Sequence, residues 1–419
     1  MVETLAVMPA EKTDGMTSMK RFIISLSLLT LICSCAETVA PEVQFPEPVG
    51  QEEYQSVTMV IPPILFDEDE PMTRINLNLS SLKYLWAEED SVGIFPDMGS
   101  QIYFSMSEGV GQSVATFDGG GWALKRGSSY YSYFPFVADY YIDKEAIPID
   151  FKGQVQVGNG NLSSASLGNH CFMVAKGVAD EATGNLMFSY ERLQMPFMFI
   201  LPVEAGRYTS LDICAGEEVI PVSGTMNAIS LDKMINDAVY DDHLTVGLDE
   251  IEFTSDATLI VTAMLPPFDI YGKQFTFNLT KADGTVVTSS VFGKTYALGK
   301  AYRNSPNFTV SPAELKIPGD AGTFKVKITA AGSSSYSISS DVDWLSVSNA
   351  STSGSATVTI NASKGSSKER VGHIMISEDV TYKETTITLQ NKITVTQDLI
   401  GMDVGVGDWG DGEDISGEI

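Results

Sequence analysis

The residues suited to nucleophilic or metal chemistry are few in this sequence, which holds three histidines and four cysteines among 419 residues. The histidines, His170, His243 and His373, lie far apart, and none stands at the spacing of a zinc-binding motif. Asp241 and Asp242 directly precede His243, and such a run either binds a divalent cation or forms a solvated turn. The loop-like surroundings favour the turn, so we predict no metal site.

Carboxylates are abundant but form no catalytic motif. Asp and Glu number 54 against 26 Lys and Arg, for a formal net charge of −28, and chance pairs are certain at this number, so it identifies no glycosidase acid–base pair. The sequence has no Gly-x-Ser-x-Gly elbow, no His-Glu-x-x-His and no P-loop. We therefore predict no catalytic residue, no enzyme activity and no cofactor. The negative charge also argues against nucleic acid as a partner.

Cys35 is the cysteine with the clearest predicted role. Lys20 and Arg21 precede an 11-residue apolar run, residues 22–32, which is too short to span a bilayer and is typical of a secretion signal. The run ends in Ile-Cys-Ser-Cys. This ending resembles a lipobox, in which the last cysteine is acylated and becomes the mature N-terminus.

These features predict that residues 1–34 are a lipoprotein signal peptide and that Cys35 carries the lipid. An ordinary signal peptide, cut nearby, is the alternative. Residues 35–55 are rich in Pro and Glu, a composition typical of a linker. The chain is then predicted to reach the membrane through its lipid, as an outer-membrane lipoprotein displayed at the cell surface.

Two cysteines remain after such processing, Cys171 and Cys214. Export permits a disulfide, and two cysteines allow one pairing. The apolar neighbours of each cysteine fit the alternative, two free thiols buried as small hydrophobic side chains. The sequence leaves both alternatives open.

Alternation of apolar and polar residues with period two predicts strands along most of the exported chain. It is clear at residues 75–79, 275–279 and 324–328, where each run fits a strand with one buried and one solvent-facing side. The apolar run 195–203 predicts a strand buried on both sides. One short helix is predicted, from Ser230 to Tyr240. The fold class is therefore predicted to be all-β.

The stretch from about Tyr54 to Arg303 resembles the fimbrillin family of pilin and pilin-like lipoproteins. Seven motifs carry the resemblance, in the family's order: Thr73-Arg74, Trp86-Ala-Glu-Glu-Asp-Ser-Val-Gly-Ile-Phe95, Tyr130-Tyr-Ser-Tyr-Phe-Pro-Phe136, Gln154-Val-Gln156, Phe172-Met-Val-Ala175, Leu265-Pro-Pro-Phe268 and Gly299-Lys-Ala-Tyr302. The resemblance implies two tandem transthyretin-like β-sandwiches, at residues 56–203 and 204–306. It also implies other pilin subunits as candidate partners.

A second resemblance begins at Phe308. The matching segments are Ser311-Pro-Ala313, the 324–328 strand, Asp341-Val-Asp-Trp-Leu-Ser-Val-Ser348, Ala356-Thr-Val-Thr-Ile360, Arg370-Val-Gly-His-Ile374 and Ile393-Thr-Val-Thr-Gln397. Together they resemble a BACON domain, an immunoglobulin-like β-sandwich often attached to glycan-handling or surface proteins. The resemblance implies that residues 307–397 form such a sandwich after the two fimbrillin-like ones.

The fimbrillin resemblance also implies a candidate processing site. Polymerising fimbrillins are matured by a trypsin-like protease that cuts after an early basic residue, and Arg74 is the first Lys or Arg after Cys35. Arg74 starts a predicted strand, which cleavage would remove. This conflict, together with the BACON-like segment, favours an anchored, accessory or tip role over a shaft subunit.

The acidic tail, residues 398–419, carries seven acidic residues and no basic one. Its Asp408–Asp414 segment departs from the calcium-loop spacing, which favours a solvated tail over a metal site. Four apolar residues recur there at period two and predict a final strand: Ile400, Met402, Val404 and Val406. That strand either closes its own sandwich or is donated to a partner's sheet.

The function favoured by these features is that of a structural or adhesive surface lipoprotein, in which the BACON-like segment is a spacer or recognition module. The runner-up is a protein that binds host or surface glycans through that segment. Sugars stack on exposed aromatic side chains, so Tyr336 and Tyr382 are the candidate contacts. Trp344 is predicted to lie in a strand and to belong to the core. A polysaccharide hydrolase ranks last.

Overall fold

A computed structural model describes residues 56–66, 81–82, 84–119, 124–139, 142–160, 165–231, 235–348 and 352–400. Within these ranges the chain forms 32 strands and one five-residue helix, which confirms the all-β fold class. In the same ranges no helix is long and apolar enough to cross a bilayer. Several predicted features lie outside the described residues: Cys35, Arg74, the 75–79 strand, Met402, Val404 and Val406.

The first apolar core is built from the N-terminal part of the chain. The elements of this part of the chain, in order, are β1 (Val57–Val60), β2 (Ile64–Phe66), β3 (Ser81–Leu82), β4 (Ser91–Pro96), β5 (Ile102–Glu108), β6 (Val114–Asp118), β7 (Ser129–Phe134), β8 (Ile147–Asp150), β9 (Gln154–Val157), α1 (Ala165–Asn169), β10 (Met173–Val178), β11 (Leu186–Ser189) and β12 (Glu191–Arg192). Eight strands form one sheet in the order β11–β1–β6–β5–β4–β7–β10–β12. Trp86 is buried in this core and meets the edges of Phe117 at 4.9 Å and Phe134 at 5.4 Å.

The second apolar core is the largest and is centred on a strand that is buried throughout. The elements that follow are β13 (Met195–Val203), β14 (Gly206–Cys214), β15 (Ile220–Met226), β16 (Asn236–Asp241), β17 (His243–Asp249), β18 (Glu252–Phe253), β19 (Ala257–Leu265), β20 (Phe268–Asp269), β21 (Gln274–Lys281), β22 (Val286–Phe292), β23 (Thr295–Tyr296) and β24 (Lys300–Asn304). β13 lies between β19 and β24 and is buried at all nine positions, as predicted for this apolar run. β21 shows the predicted alternation of buried and half-buried residues.

Strand pairs cross the boundary predicted between residues 203 and 204. β2 pairs with β24, β8 pairs with β15, and β9 pairs with β17 in parallel. The five-stranded sheet β19–β13–β24–β2–β3 therefore takes strands from both sides of the boundary. Sequence alternation predicts strands but not their partners, because partners are set by long-range register.

Amide side chains cover the outer edge of β19, which has no strand neighbour on that side among the described residues. Gln154 accepts from the Met264 N–H at 2.7 Å and donates to the Met264 carbonyl at 2.8 Å. Gln156 accepts from the Thr262 N–H and donates to the Ile260 carbonyl, both at 2.7 Å. Because each amide carries one donor side and one acceptor side, the two glutamines stand in for a missing strand.

The third apolar core belongs to the C-terminal segment. Its strands are β25 (Phe308–Ser311), β26 (Glu314–Ile317), β27 (Gly322–Ala330), β28 (Ser337–Ser340), β29 (Leu345–Ser348), β30 (Ala356–Ala362), β31 (Arg370–Tyr382) and β32 (Thr385–Gln397). One sheet is β26–β32–β31–β28, and the other is β29–β30–β27–β25. Both sheets contribute buried side chains to the core. The second sheet continues from β25 into β22, so it is shared with the preceding core.

Two local predictions are wrong. The helix predicted from Ser230 to Tyr240 is replaced over its second half by β16, which pairs with β15, and this pairing outweighs the weak helical preference of the segment. Trp344 lies in a turn before β29 rather than in a strand. It packs half-buried against the third core, and a side chain at Gly372 would collide with it, at 2.9 Å from its Cζ2.

Because glutamine side chains satisfy the backbone groups at the edge of β19, replacing one of these glutamines should lower the stability of the protein substantially. Gln154→Leu keeps the side-chain volume but leaves the Met264 N–H and carbonyl buried without partners. We expect a loss of about 2 to 4 kcal/mol in the free energy of unfolding, measured by urea denaturation. Val155→Thr is the matched control, because Val155 is 38% exposed and lies between the two glutamines. Equal stability of the Gln154→Leu variant and the control would contradict this role.

Candidate ligand-binding cleft

A cleft of about 570 Å³ lies where the second and third cores meet. Its walls come from the end of β22, the segment joining β24 to β25, the loop after β27 and the end of β31. The joining segment is short, residues 305–307, and β25 pairs with β22. Sheet hydrogen bonds therefore fix the two sides of the cleft relative to each other.

Aromatic rings form one wall of the cleft. Tyr382 and Phe292 line it, with ring centroids 5.5 Å apart, and Tyr271 packs edge-on against Phe292 at 5.6 Å. The Lys294 ammonium lies 4.7 Å from the Tyr382 ring centroid and that of Lys383 lies 5.3 Å from it. Cations at this distance are attracted by the ring electrons, so the wall combines apolar surface with positive charge.

Amide groups form the opposite side. Asn304 is 3% exposed, and its Oδ1 accepts from the Tyr296 hydroxyl at 3.2 Å. Its Nδ2 has no hydrogen-bond partner among the described residues. Asn307 Nδ2 donates to the buried Glu378 carboxylate at 2.8 Å, and burial raises the pKa of Glu378 above its ordinary value. The Nδ2 group of Asn304 is therefore a buried donor beside the cleft.

The charge of the lining is unusual for this chain. Among the described lining residues Lys294 and Arg303 are basic, and none is Asp, Glu, His or Cys, whereas the whole chain carries −28. The lining offers hydroxyls, amides, cations and rings, and this set suits binding.

The cleft was only partly foreseen from the sequence. Tyr382, predicted as a glycan contact, lines it. Phe292, Lys294, Arg303 and Asn304 were missed, because they lie far from Tyr382 in the chain and belong to no motif. Their one sequence signal is a locally basic stretch within an acidic chain, because residues 281–303 hold four basic residues and one acidic residue.

The prediction that Tyr336 is an exposed glycan contact is wrong. It is 5% exposed, its ring lies 5.2 Å from that of Phe308, and its hydroxyl donates to the Gly354 carbonyl at 2.9 Å. A buried ring offers no face to a sugar. Local sequence does not show this burial, because it depends on packing against Phe308.

The structure does not bring the two predicted cysteines together as a disulfide, and both are free thiols. Cys171 is buried in the first core, whereas Cys214 ends β14, where Asn278 Nδ2 lies 3.7 Å from its sulfur. Burial raises the pKa of each thiol to about 12. Thiols with such pKa values are poor nucleophiles at neutral pH.

Asp241 ends β16, His243 begins β17, and Asp242 lies between the two strands. Their ligand atoms lie within 4.8 Å of one another, and His243 Nδ1 is 2.7 Å from Asp242 and 3.2 Å from Asp241. The hydrogen bond to Asp242 raises the pKa of His243. The three groups therefore bond to one another at an exposed hairpin end.

The remaining described member of the predicted final strand is Ile400. Its N–H donates to the Ser366 carbonyl, and the Asp398 N–H donates to the Ile317 carbonyl, both at 2.9 Å. The start of the tail is therefore hydrogen-bonded to its own C-terminal sandwich.

The raised pKa of Glu378 predicts that the stability of the folded protein depends on pH. Its raised pKa means that the folded protein binds this proton more tightly than the unfolded chain, so the residue lowers stability as the pH rises above about 4.3. Glu378→Gln keeps an acceptor for Asn307 and removes the charge. We expect it to stabilise the protein by on the order of 1 kcal/mol at pH 7 and to have little effect at pH 3.5, measured by calorimetry. The exposed Glu384→Gln is the control, and an equal gain at both pH values would contradict this account.

Solved structures and one family model resemble parts of this chain. Three solved structures are similar: candidate cell adhesion proteins of Bacteroides ovatus (10% identity, 61% of this chain and 92% of that one, TM-score 0.41) and Bacteroides thetaiotaomicron (12%, 60% and 92%, 0.31), and a C-terminally truncated tip fimbrial protein of Porphyromonas gingivalis (10%, 56% and 81%, 0.26).

No functional conclusion follows from structural similarity at this level. No curated protein matches the sequence. The family model of the viral BACON domain matches residues 307–396, where the third core and its two sheets lie. The C-terminal sandwich of this chain is therefore a BACON domain.

Proposed function

We propose that this chain is a structural or adhesive lipoprotein of the outer membrane, displayed at the cell surface as an accessory, tip or anchor component of a pilus. The observation that carries the proposal is the fixed junction between the fimbrillin-like part and the BACON domain. A protein that spaces or presents a binding surface needs modules held in a constant orientation. A shared sheet supplies that constraint, because bending the junction breaks backbone hydrogen bonds.

Polar side chains reinforce the shared sheet. Gln274 donates to the Gln390 carbonyl at 3.0 Å and accepts from the Gln390 N–H at 2.7 Å. Ser290 Oγ donates to Asn391 Oδ1 at 2.8 Å, and both residues are 1% exposed. These bonds join β21 and β22 to β32, so both sheets of the BACON domain contact the preceding core.

A charged network adds a third link. Lys327 of β27 pairs with Asp256 and lies 3.8 Å from Glu204, which also accepts from Lys281 at 2.5 Å. Burial opposes the charge on Glu204, but the hydrogen bond from Lys281 and the two ammonium groups hold its pKa below the ordinary value. The Glu204 side chain is 18% exposed and that of Lys281 11%, and ion pairs at this depth are less screened by salt than exposed ones.

The proposal includes that the chain is not an enzyme. The described residues that line the cleft include no Asp, Glu, His or Cys, and the two free thiols have raised pKa values. Glycan binding by the BACON domain alone has less support, since Tyr336 is buried. The spacer role is the better account of this domain.

Attachment at Cys35 supplies the first test. Cells expressing the full chain are labelled with a palmitate analogue. We expect label on the wild type and on Cys33→Ser, and none on Cys35→Ser, because one cysteine is acylated and becomes the N-terminus. Surface-accessible, uncut protein in the outer-membrane fraction is the second expected result. Label retained by Cys35→Ser, or recovery of the protein solely in filaments cut after Arg74, would refute the anchored role.

The fixed junction supplies the second test. Lys327→Ala removes a link between the modules, whereas Lys325→Ala, exposed on the same strand, is the matched control. We expect calorimetry of the exported chain to show the BACON domain unfolding together with the preceding core in the wild type. Lys327→Ala should weaken this coupling by about 1 kcal/mol and separate the transitions. Independent unfolding of the wild-type domains would contradict a rigid spacer.

A further inference from the structure

We propose that the BACON domain is a mechanical clamp, in which the parallel pair of β26 and β32 resists tension applied along the chain. The inference rests on the proposed spacer function and states how the spacer carries a load between an anchored and an adhesive end. Bonds from the Gln397 side chain complete the clamp, and bonds near Gln390 pass the load to the second core.

The directions of β26 and β32 decide how tension acts on them. The two strands pair in parallel, Glu314–Ile317 beside Thr394–Gln397. The chain enters β26 from β25, which is hydrogen-bonded to β22 and β27, and it leaves β32 at Gln397. Tension along the chain therefore pulls β26 towards its start and β32 towards its end. Because the strands are parallel, these opposite pulls slide one strand along the other.

Sliding loads all the bonds between the two strands at once, whereas peeling loads the bond at one end and breaks the bonds in turn. Backbone bonds lie at both ends of the pair. The Thr394 N–H donates to the Ala313 carbonyl at 2.8 Å, and the Asp398 N–H donates to the Ile317 carbonyl at 2.9 Å. A single hydrogen bond contributes little net free energy, so the strength of this short pair comes from loading its bonds together.

Gln397 ties the end of β32 to the two loops beside it. The side chain is fully buried, and its Nε2 donates to the carbonyls of Gly319, Asp320 and Ser363 at 3.1 to 3.3 Å. Its Oε1 accepts from Arg370 Nε at 2.7 Å. Breaking such bonds leaves buried polar groups without partners, which is costly. The end of β32 therefore cannot slide without losing them.

Two glycines let these loops close on the chain that follows β32. A Cβ atom at Gly319 would lie 2.7 Å from the backbone of Leu399 and Ile400, and one at Gly365 would lie 2.9 Å from the Gly319 carbonyl oxygen. The Gly365 N–H donates to the Gly319 carbonyl at 2.7 Å, and the Ile400 N–H donates to the Ser366 carbonyl at 2.9 Å. The chain therefore leaves the domain between two loops that are bonded to each other.

The other half of β32 connects the clamp to the second core. The strand is 13 residues long, Thr385–Gln397, and its first half lies at the junction. There Gln390 bonds to Gln274 through both of its backbone groups, and Asn391 bonds to Ser290. One continuous strand thus joins the two loops to the second core, so β32 is held against sliding at both of its ends.

The pulling experiment uses the exported chain, residues 36–419, held in optical tweezers by its two ends. A second geometry attaches one handle at the exposed position of Lys368→Cys and the other at the C-terminus. Arg370 lies opposite Gln397, so this geometry peels β32 from β31 pair by pair. We expect the BACON domain, identified by the length of chain released, to unfold at a higher force between the chain ends. An equal or lower force there would overturn the proposal.

A variant tests the bonds at the end of β32. Gln397→Leu leaves the loop carbonyls without their donor, and Lys392→Gln, exposed on the same strand, is the matched control. Forced unfolding is governed by the unfolding rate. We expect Gln397→Leu to raise this rate roughly tenfold at a fixed force between the chain ends, and the control to leave it unchanged. An unchanged rate in a folded Gln397→Leu variant would overturn the clamp.

The two arms of the experiment are independent. Where Gln397→Leu fails to fold, the comparison of the two geometries decides, because Lys368→Cys leaves every bond of the clamp intact. Palmitate labelling and calorimetry of the junction apply no force, so their results do not depend on the clamp. Failure of this proposal is therefore distinguishable from failure of the anchored spacer.

Discussion

The edges of β-sheets set the main constraint on this protein. Every strand at an edge carries a row of N–H and carbonyl groups that need partners, and an open edge invites pairing with another chain. β19 has its edge covered by the amides of Gln154 and Gln156. β22 has its edge continued by β25 of the BACON domain. In both places an edge is closed from within the chain.

A glutamine side chain also bonds to backbone groups at the junction between the second core and the BACON domain. Gln274 pairs with both backbone groups of Gln390, as Gln154 pairs with both of Met264. A glutamine side chain donates and accepts on one edge and so imitates a peptide group. Closed edges bear on assembly by strand addition, which needs an open sheet edge or groove. The described edge of β19 does not offer one.

The sequence predicted the structure correctly where strand formation and burial depend on the residue pattern of one strand alone. The alternation at residues 275–279 and the apolar run 195–203 predicted β21 and the buried β13, since burial follows directly from side-chain period. Prediction from the sequence failed where the structure of a segment depends on a neighbour that is distant in the chain. Residues 236–241 form a strand because β15 lies beside them, and Tyr336 is buried because Phe308 packs on it. Neither neighbour can be read from local composition.

The cleft illustrates the same limit. Tyr382 was singled out as an aromatic residue in a BACON-like segment, but its importance comes from Phe292 and Lys294, some 90 residues earlier in the chain. The register between β22 and β25 brings these segments together, and no pattern within either segment encodes that pairing. Sites that form between modules are therefore poorly visible to motif searches, which read one module at a time.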